Sequence, residues 1–268
     1  MKDLRIGVMG CGNMGKAIVK GLVSKGIVPA GNIMVNDRDE SRSSAVSAMF
    51  RGVKRGDVPK LMASSRYILL AVKPQDSQIL LEELCGYARS HVFISIMAGI
   101  TIGSLNKRLG PKVAVVRAMP NMAARIGESV TAVSFNKSVK NTRDIKLIFS
   151  SIGDVVEVKE NQMDTVTAVS GSGPAYLFYL AEAMIRSAER HGIKGDSARR
   201  LVTQTLYGAS ALLRAEAKTA PGELVAAVAS KGGTTERALA VFEEKEMAVI
   251  IDLAISMAKK RSGELSKG

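Results

Sequence analysis

Leu4-Arg5-Ile6-Gly7-Val8-Met9-Gly10-Cys11-Gly12-Asn13-Met14-Gly15 is the stretch that decides the fold. Residues 4–9 read as a buried strand, and the next six follow the pattern G-x-G-x-x-G. Met14, Ile18 and Leu22, spaced by four, then form the apolar face of a helix. Strand, glycine pattern and helix in that order make a dinucleotide-binding fingerprint. The first glycine makes the turn, the second lets a pyrophosphate approach the backbone, and the third packs helix on strand. Gly10, Gly12, Asn13, Met14 and Gly15 are therefore read as cofactor-binding.

A second strand, Ile33 to Asn36, ends at Asp37-Arg38, where the residue reading the adenosine ribose is expected. Asn36, Asp37 and Arg38 join the cofactor set, but two of them argue opposite ways. Asp37 suits the two ribose hydroxyls of NADH, and Arg38 suits the 2′-phosphate of NADPH. A helix from Glu40 to Phe50, a short strand near Val53 and a helix starting around Val58-Pro59 follow. Tyr67 to Val72 is a fully apolar strand of the parallel-sheet kind, ending in Lys73-Pro74-Gln75. Ligands of such sheets bind beyond strand C-termini, so Ala71, Val72, Lys73 and Pro74 are expected to border the cofactor. Val92 to Met97, ending in Ala98-Gly99, and Val113 to Ala118, followed by Asn121, repeat the pattern. These strand ends suit close approach of a nicotinamide. Val130–Val133 and Val155–Val158 read as the last strands, flanking a helix from about Thr142 to Ser151.

After Glu160 strand-like runs cease and helical periodicity takes over. The expected architecture is an α/β Rossmann-type dinucleotide-binding domain over residues 1–160, followed by an all-α domain over 161–268. Leu177, Leu180, Ala181, Met184 and Ala188 line one helix face. Val202, Leu206, Ala209 and Leu213 line another, and Met247, Ile250, Ile251, Ala254 and Ala258 a third.

Within this half, Ser230-Lys231-Gly232-Gly233-Thr234-Thr235-Glu236 breaks one helix and opens the next. Paired glycines let successive N–H groups point into one concavity, and a helix start behind them suits a carboxylate or phosphate. Thr234 or Thr235 is expected as the N-cap, with Glu236 adding favourable charge to the first turn. An ordinary helix–loop–helix corner is the alternative.

Composition narrows the classes. The chain has 268 residues, 46% of them hydrophobic, enough for one large or two modest domains. The net charge of +13 raises the possibility of nucleic-acid binding. The cations are scattered, however, and tryptophan is absent, so no nucleic-acid partner is expected. The longest apolar runs are strand-sized, so no membrane span is expected. No Cys/His cluster has metal spacing. Cys11 and Cys85 do not suggest a disulfide framework, and the N-terminus enters a strand without an export signal. A cytoplasmic protein is the expectation.

Three stretches carry a resemblance. Pro221-Gly222-Glu223-Leu224, the Ser230 to Thr235 loop, Ala238-Leu239 and Phe242-Glu243 form the first. Ser170-Gly171-Ser172-Gly173-Pro174-Ala175-Tyr176 and Ala71-Val72-Lys73-Pro74 are the others. Together, spread over nearly the whole chain and in the family's order along it, they resemble the pyrroline-5-carboxylate reductases. The resemblance implies reduction of the cyclic imine 1-pyrroline-5-carboxylate to L-proline with NADPH or NADH, by a homodimer or an oligomer built from dimers. It also implies that backbone around Ser230, Gly232, Gly233 and Thr234 holds the substrate carboxylate. Thr235, the catalytic candidate, would hydrogen-bond the ring nitrogen, and Glu160 would lie near the substrate. Three places, four residues in all, depart from the family pattern. Lys231 replaces its usual Pro, Val225-Ala226 replace a Lys-Asp pair, and Asp37 stands where Ser-Asn-Arg is frequent. The helical half has no conspicuous His–Asp or Lys general acid, which fits an already basic imine nitrogen better than a 2-hydroxy acid. Reduction of another small cyclic imino or keto acid, and a non-enzymatic cofactor- or nucleic-acid-binding relative, remain as alternatives.

Overall fold

The computed structural model describes residues 4–87 and 90–265. Among these, eight strands form one sheet. They are β1 (Ile6–Met9), β2 (Ile33–Asn36), β3 (Lys54–Arg55), β4 (Tyr67–Leu70), β5 (Val92–Ser95), β6 (Ala114–Met119), β7 (Ser129–Phe135) and β8 (Gly153–Glu157). Their order across the sheet is β3-β2-β1-β4-β5-β6-β7-β8. Strands β1 and β4 are buried at every position, as their unbroken apolar sequence requires of central parallel strands. The chain leaves β3 on one side of β1 and resumes with β4 on the other. The carboxyl ends of β1 and β4 thus flank a topological switch point, the usual position of a ligand crevice in an open α/β sheet.

Strand β7 pairs antiparallel with β6, and β8 returns parallel to β7. Only residues 120–128 join β6 to β7, in a 3-10 turn over Met122–Ile126 closed by Gly127 at φ 80°. A parallel return needs a crossover of a dozen residues or more, so this short link imposes the reversal.

Helices α1 (Asn13–Ser24), α2 (Glu40–Met49), α3 (Val58–Ser64), α4 (Ser77–Leu84), α5 (Ile102–Leu109) and α6 (Thr142–Ser150) connect the strands. Asp39, Asp57, Thr101 and Asn141 cap α2, α3, α5 and α6 by accepting backbone N–H bonds. The N-cap of α1 is Gly12, which offers no side chain.

After β8 the chain is helical: α7 (Met163–Val166), a π-turn over Thr167–Gly171, α8 (Gly173–Arg190), α9 (Asp196–Ala215), α10 (Pro221–Val228), α11 (Thr234–Glu244) and α12 (Met247–Leu265). Two compact units result. Residues 1–172 and 257–268 form one, and residues 173–256 form the other. The sequence-based boundary near Glu160 marks the change from strand to helix, whereas packing assigns α7, the π-turn and the last turns of α12 to the sheet-bearing unit.

In the second unit α8 packs on α9. No residue of α8, α10 or α11 is buried, and α9 buries only Ala198 and Val202. Leu177, Leu213, Ile250 and Ile251, all on the expected apolar faces, are exposed in the single chain. A helical unit of this composition without a core of its own needs a second surface to cover it.

Candidate functional site

The three fingerprint glycines are required for three different reasons. Gly10 has φ 103°, and a Cβ there would lie 2.5 Å from the carbonyl oxygen of Ala71. A Cβ on Gly15 would overlap the carbonyl oxygen of Gly10 and touch Ala71 Cβ. At Gly12 a Cβ would meet no atom within 4 Å. The first and third glycines are thus demanded by the protein itself, whereas the second opens onto free space at the bare N-terminus of α1. That helix has no acidic residue in its first turn. An uncapped helix start of positive potential, with open backbone before it, fits the pyrophosphate of a dinucleotide. Asn13 is exposed at the first position of α1, and Met14 packs against the core.

The structure brings the ends of β1, β2 and β4 together around this loop. Gly10 N–H donates to Asn36 O at 2.9 Å, and Ala71 N–H donates to Met9 O at 2.7 Å. Asp37 Oδ2 accepts the N–H of Cys11 at 2.6 Å, and its Oδ1 accepts the N–H of Asp39 at 2.9 Å. The Asn36 side chain turns away and donates to Gly56 O at 2.8 Å, so this residue supports the loop through its backbone. Arg38 is exposed and pairs with Asp76 at 3.9 Å, a partner that sequence reading misses because it follows a different strand. Val72 is half-buried beside Ala71, and Lys73 and Pro74 are exposed. Buried Cys11 is no nucleophile: desolvation, then the charge of Asp37, push its thiol up to about 12.

Other expected contacts have structural occupations. Gly99 adopts φ 77°, and a Cβ there would lie 3.0 Å from the backbone of Leu265. It lets the end of α12 pack beside half-buried Ala98. Asn121 caps its 3-10 turn by accepting from Ala123 N–H at 3.1 Å, and its own N–H donates to Ser129 Oγ.

Glu160 sits in an ionic cluster inside the sheet-bearing unit. Its Oε1 accepts the N–H of Ile102 at 2.6 Å, at the start of α5, and lies 3.8 Å from the guanidinium of Arg117. Arg117 is buried in β6 and also meets Asp164 at 3.3 Å. Asp164 Oδ1 in turn accepts from Ser262 Oγ at 2.9 Å. A buried arginine in an apolar strand demands carboxylate partners, which is the signal that Arg117 offers in sequence. Nothing local identifies Asp164 and Ser262 as the answer.

In the helical unit, Ser230 to Gly233 is a tight turn closed by Gly233 N–H to Ser230 O at 2.9 Å. Gly232, third in the turn, has φ 72°, a conformation that favours glycine. Gly233 is needed for space, since a Cβ there would stand 2.5 Å from Ser230 Oγ. The N-cap of α11 is Gly233, not Thr234 or Thr235, which occupy its first two helical positions without a side-chain cap bond. The second glycine takes the extended cap conformation that a threonine was expected to supply. Glu236 folds back so that its carboxylate accepts the N–H of Gly232. Thr234 and Thr235 precede the first bond of the helix, from Arg237 N–H to Gly233 O, so their N–H groups have no acceptor within it. Lys231 is exposed, and Thr235 is half-buried.

Comparison with known proteins matches both halves. Residues 160–265 match the family model described as pyrroline-5-carboxylate reductase dimerisation, and residues 5–99 that described as NADP oxidoreductase, coenzyme F420-dependent. The pyrroline-5-carboxylate reductase of Synechocystis sp. is 35% identical over 267 residues, covering 99% of each chain. A solved pyrroline-5-carboxylate reductase from Coxiella burnetii superimposes with a TM-score of 0.93 at 31% identity, covering 99% of each chain. The Plasmodium falciparum pyrroline carboxylate reductase, solved with NADP bound, gives 0.87 at 27% identity, also over 99% of each chain.

Proposed function

This chain belongs to the pyrroline-5-carboxylate reductase family, and from that membership we infer that it reduces 1-pyrroline-5-carboxylate to L-proline with NAD(P)H. The cofactor, when bound, supplies the hydride for the C=N carbon; the protein supplies binding, orientation and electrostatics. In the sheet-bearing unit, the backbone from Gly10 to Gly15 and the start of α1 would hold the pyrophosphate, with Ala71 beside them.

The observation that carries the substrate reading is the Ser230–Gly233 turn. Its backbone already donates to a carboxylate of the chain itself, from Gly232 N–H to Glu236. The N–H groups of Thr234 and Thr235 continue the same donor surface into the positive end of α11. A substrate carboxylate would bind to this surface, displacing Glu236 where it claims Gly232. The Thr235 hydroxyl would then hydrogen-bond the ring nitrogen and orient the imine. Glu160, about one-third exposed, would favour the protonated, more electrophilic imine. Proline release from purified protein, 1-pyrroline-5-carboxylate and reduced cofactor tests the reading; no proline from folded protein would overturn it.

The protein is a homo-oligomer. We propose that it assembles as a dimer, or as a higher oligomer of dimers, through the helical unit, whose exposed apolar faces need a partner. No helix among the described residues is long and apolar enough to cross a membrane, and Cys11 and Cys85 are free thiols. Both support a cytoplasmic location as part of this reading.

A further inference from the structure

The charges at the end of β2 do not balance, and the imbalance bears on which dinucleotide enters. Three arginines stand in this corner, and each already faces a carboxylate. Arg38 meets Asp76 at 3.9 Å, Arg42 meets Asp39 at 3.3 Å, and Arg55 meets Glu40 at 3.4 Å. Asp37 is the carboxylate left over: among the described residues it forms no ion pair. It is held in place instead by backbone, through the N–H groups of Cys11 at 2.6 Å and Asp39 at 2.9 Å. Cys11 lies within the glycine loop, so this fixed anion adjoins the dinucleotide path. A carboxylate has about four acceptor positions, and two N–H bonds leave room for ribose hydroxyls.

We propose that this site selects NADH over NADPH, with Asp37 as the excluding anion and Asp76 as a second determinant that engages Arg38. The proposal rests on the dinucleotide reading of Gly10 to Gly15. A 2′-phosphate carries a charge of about −1.5 to −2 near neutrality. Brought to the end of β2, it would meet Asp37 without a neutralising partner, and Arg38 would have to leave Asp76 to reach it. The Arg38–Asp76 pair is exposed, with side chains 86% and 47% accessible, so it breaks readily and its effect is the smaller of the two. Asp76 follows β4 while Arg38 follows β2. Discrimination is thus shared by the two strand ends that flank β1.

The test is binding of NADH and NADPH to the purified protein without imino acid, followed by nicotinamide fluorescence, so that it does not depend on turnover. The parent should bind NADH at least about tenfold more tightly, a ratio that narrows as salt rises. Asp37→Asn keeps an oxygen for Cys11 N–H and removes the charge; it should tighten NADPH binding about five- to tenfold and weaken NADH about three- to tenfold, because the amide is a poorer acceptor for the ribose hydroxyls. Asp76→Asn, on the exposed surface, should tighten NADPH by about two- to threefold. Arg38→Ala added to Asp37→Asn should remove the gain. Tighter or equal NADPH binding by the parent, or an unchanged ratio in a folded Asp37→Asn protein, would overturn the proposal alone. Failure to bind either dinucleotide would overturn the cofactor reading with it.

Discussion

Ser262 Oγ donates to Asp164 Oδ1 at 2.9 Å, and the same oxygen lies 3.3 Å from the buried guanidinium of Arg117. Residues 98 apart in sequence thus join the last turns of α12 to the middle of the sheet. Removing Asp164 would leave Arg117 with Glu160 alone, at 3.8 Å. Asp164→Ala should therefore destabilise the protein by roughly 2–4 kcal/mol, the effect of stripping a largely buried charge of its nearer partner. Ser262→Ala should cost about 1 kcal/mol through loss of the hydroxyl's bond to Asp164. Urea unfolding of both variants distinguishes the two, and equal losses would mean that Arg117 is held from elsewhere.

The glycine loop separates folding from binding. Gly12→Ala should melt within a few degrees of the parent, because its Cβ meets nothing. It should nevertheless weaken either dinucleotide at least about tenfold by standing in the path of the pyrophosphate. Gly15→Ala should lower the melting temperature sharply, because its Cβ overlaps Gly10 O. A Gly12→Ala protein with parental dinucleotide affinity would place the pyrophosphate elsewhere.

Gly232 makes a parallel case in the helical unit. At φ 72° an alanine is strained by roughly 1–2 kcal/mol, which the exposed turn would relieve by shifting its N–H groups. Gly232→Ala should raise KM for the imino acid about five- to tenfold and leave dinucleotide affinity unchanged, the pattern of lost ground-state binding. Steady-state kinetics with a separate dinucleotide titration checks both halves.

Cys11 gives an alkaline limit to stability. Its folded thiol holds its proton up to about pH 12, against an ordinary value of 9.0. The raised value means that its contribution is fully present below about pH 9 and is lost as the pH climbs from there towards 12. Cys11→Ala should flatten the fall in stability over this window. At neutral pH a thiol reagent should label exposed Cys85 quickly and Cys11 only as the protein unfolds. Equal labelling rates in the folded protein would show that Cys11 is accessible.

Where a local pattern determines geometry, the sequence was legible. Ile6 to Met9 followed by Gly10, Gly12 and Gly15 announces strand, turn and helix together, and the apolar run at Tyr67 announces a central strand. Strand direction at β7 was not legible, because it follows from the short link over residues 120–128 rather than from the strand's own residues. The exposed faces containing Leu177 and Ile250 were visible as faces, but periodicity does not say what covers them. Arg117 advertised a need for carboxylates, yet Asp164 is supplied by a different part of the chain. In the turn at Ser230, threonine's preference for N-cap positions pointed to Thr234 or Thr235. Gly233 takes that position instead, where Ser230 leaves no room for a side chain.

Thr235 stands at the second position of α11 with no capping bond of its own, so its hydroxyl is not required to hold the helix start. The decisive experiment is the rate of L-proline formation from 1-pyrroline-5-carboxylate by the parent and by Thr235→Ala, each with a melting curve and a dinucleotide titration. The parent should make proline. Thr235→Ala should keep its stability and cofactor affinity while turning over about 10- to 100-fold more slowly, the loss of one hydrogen bond worth roughly 1.5–3 kcal/mol in the transition state. A folded Thr235→Ala protein with parental turnover would remove Thr235 from the chemistry, and a folded parent that makes no proline would remove the activity itself.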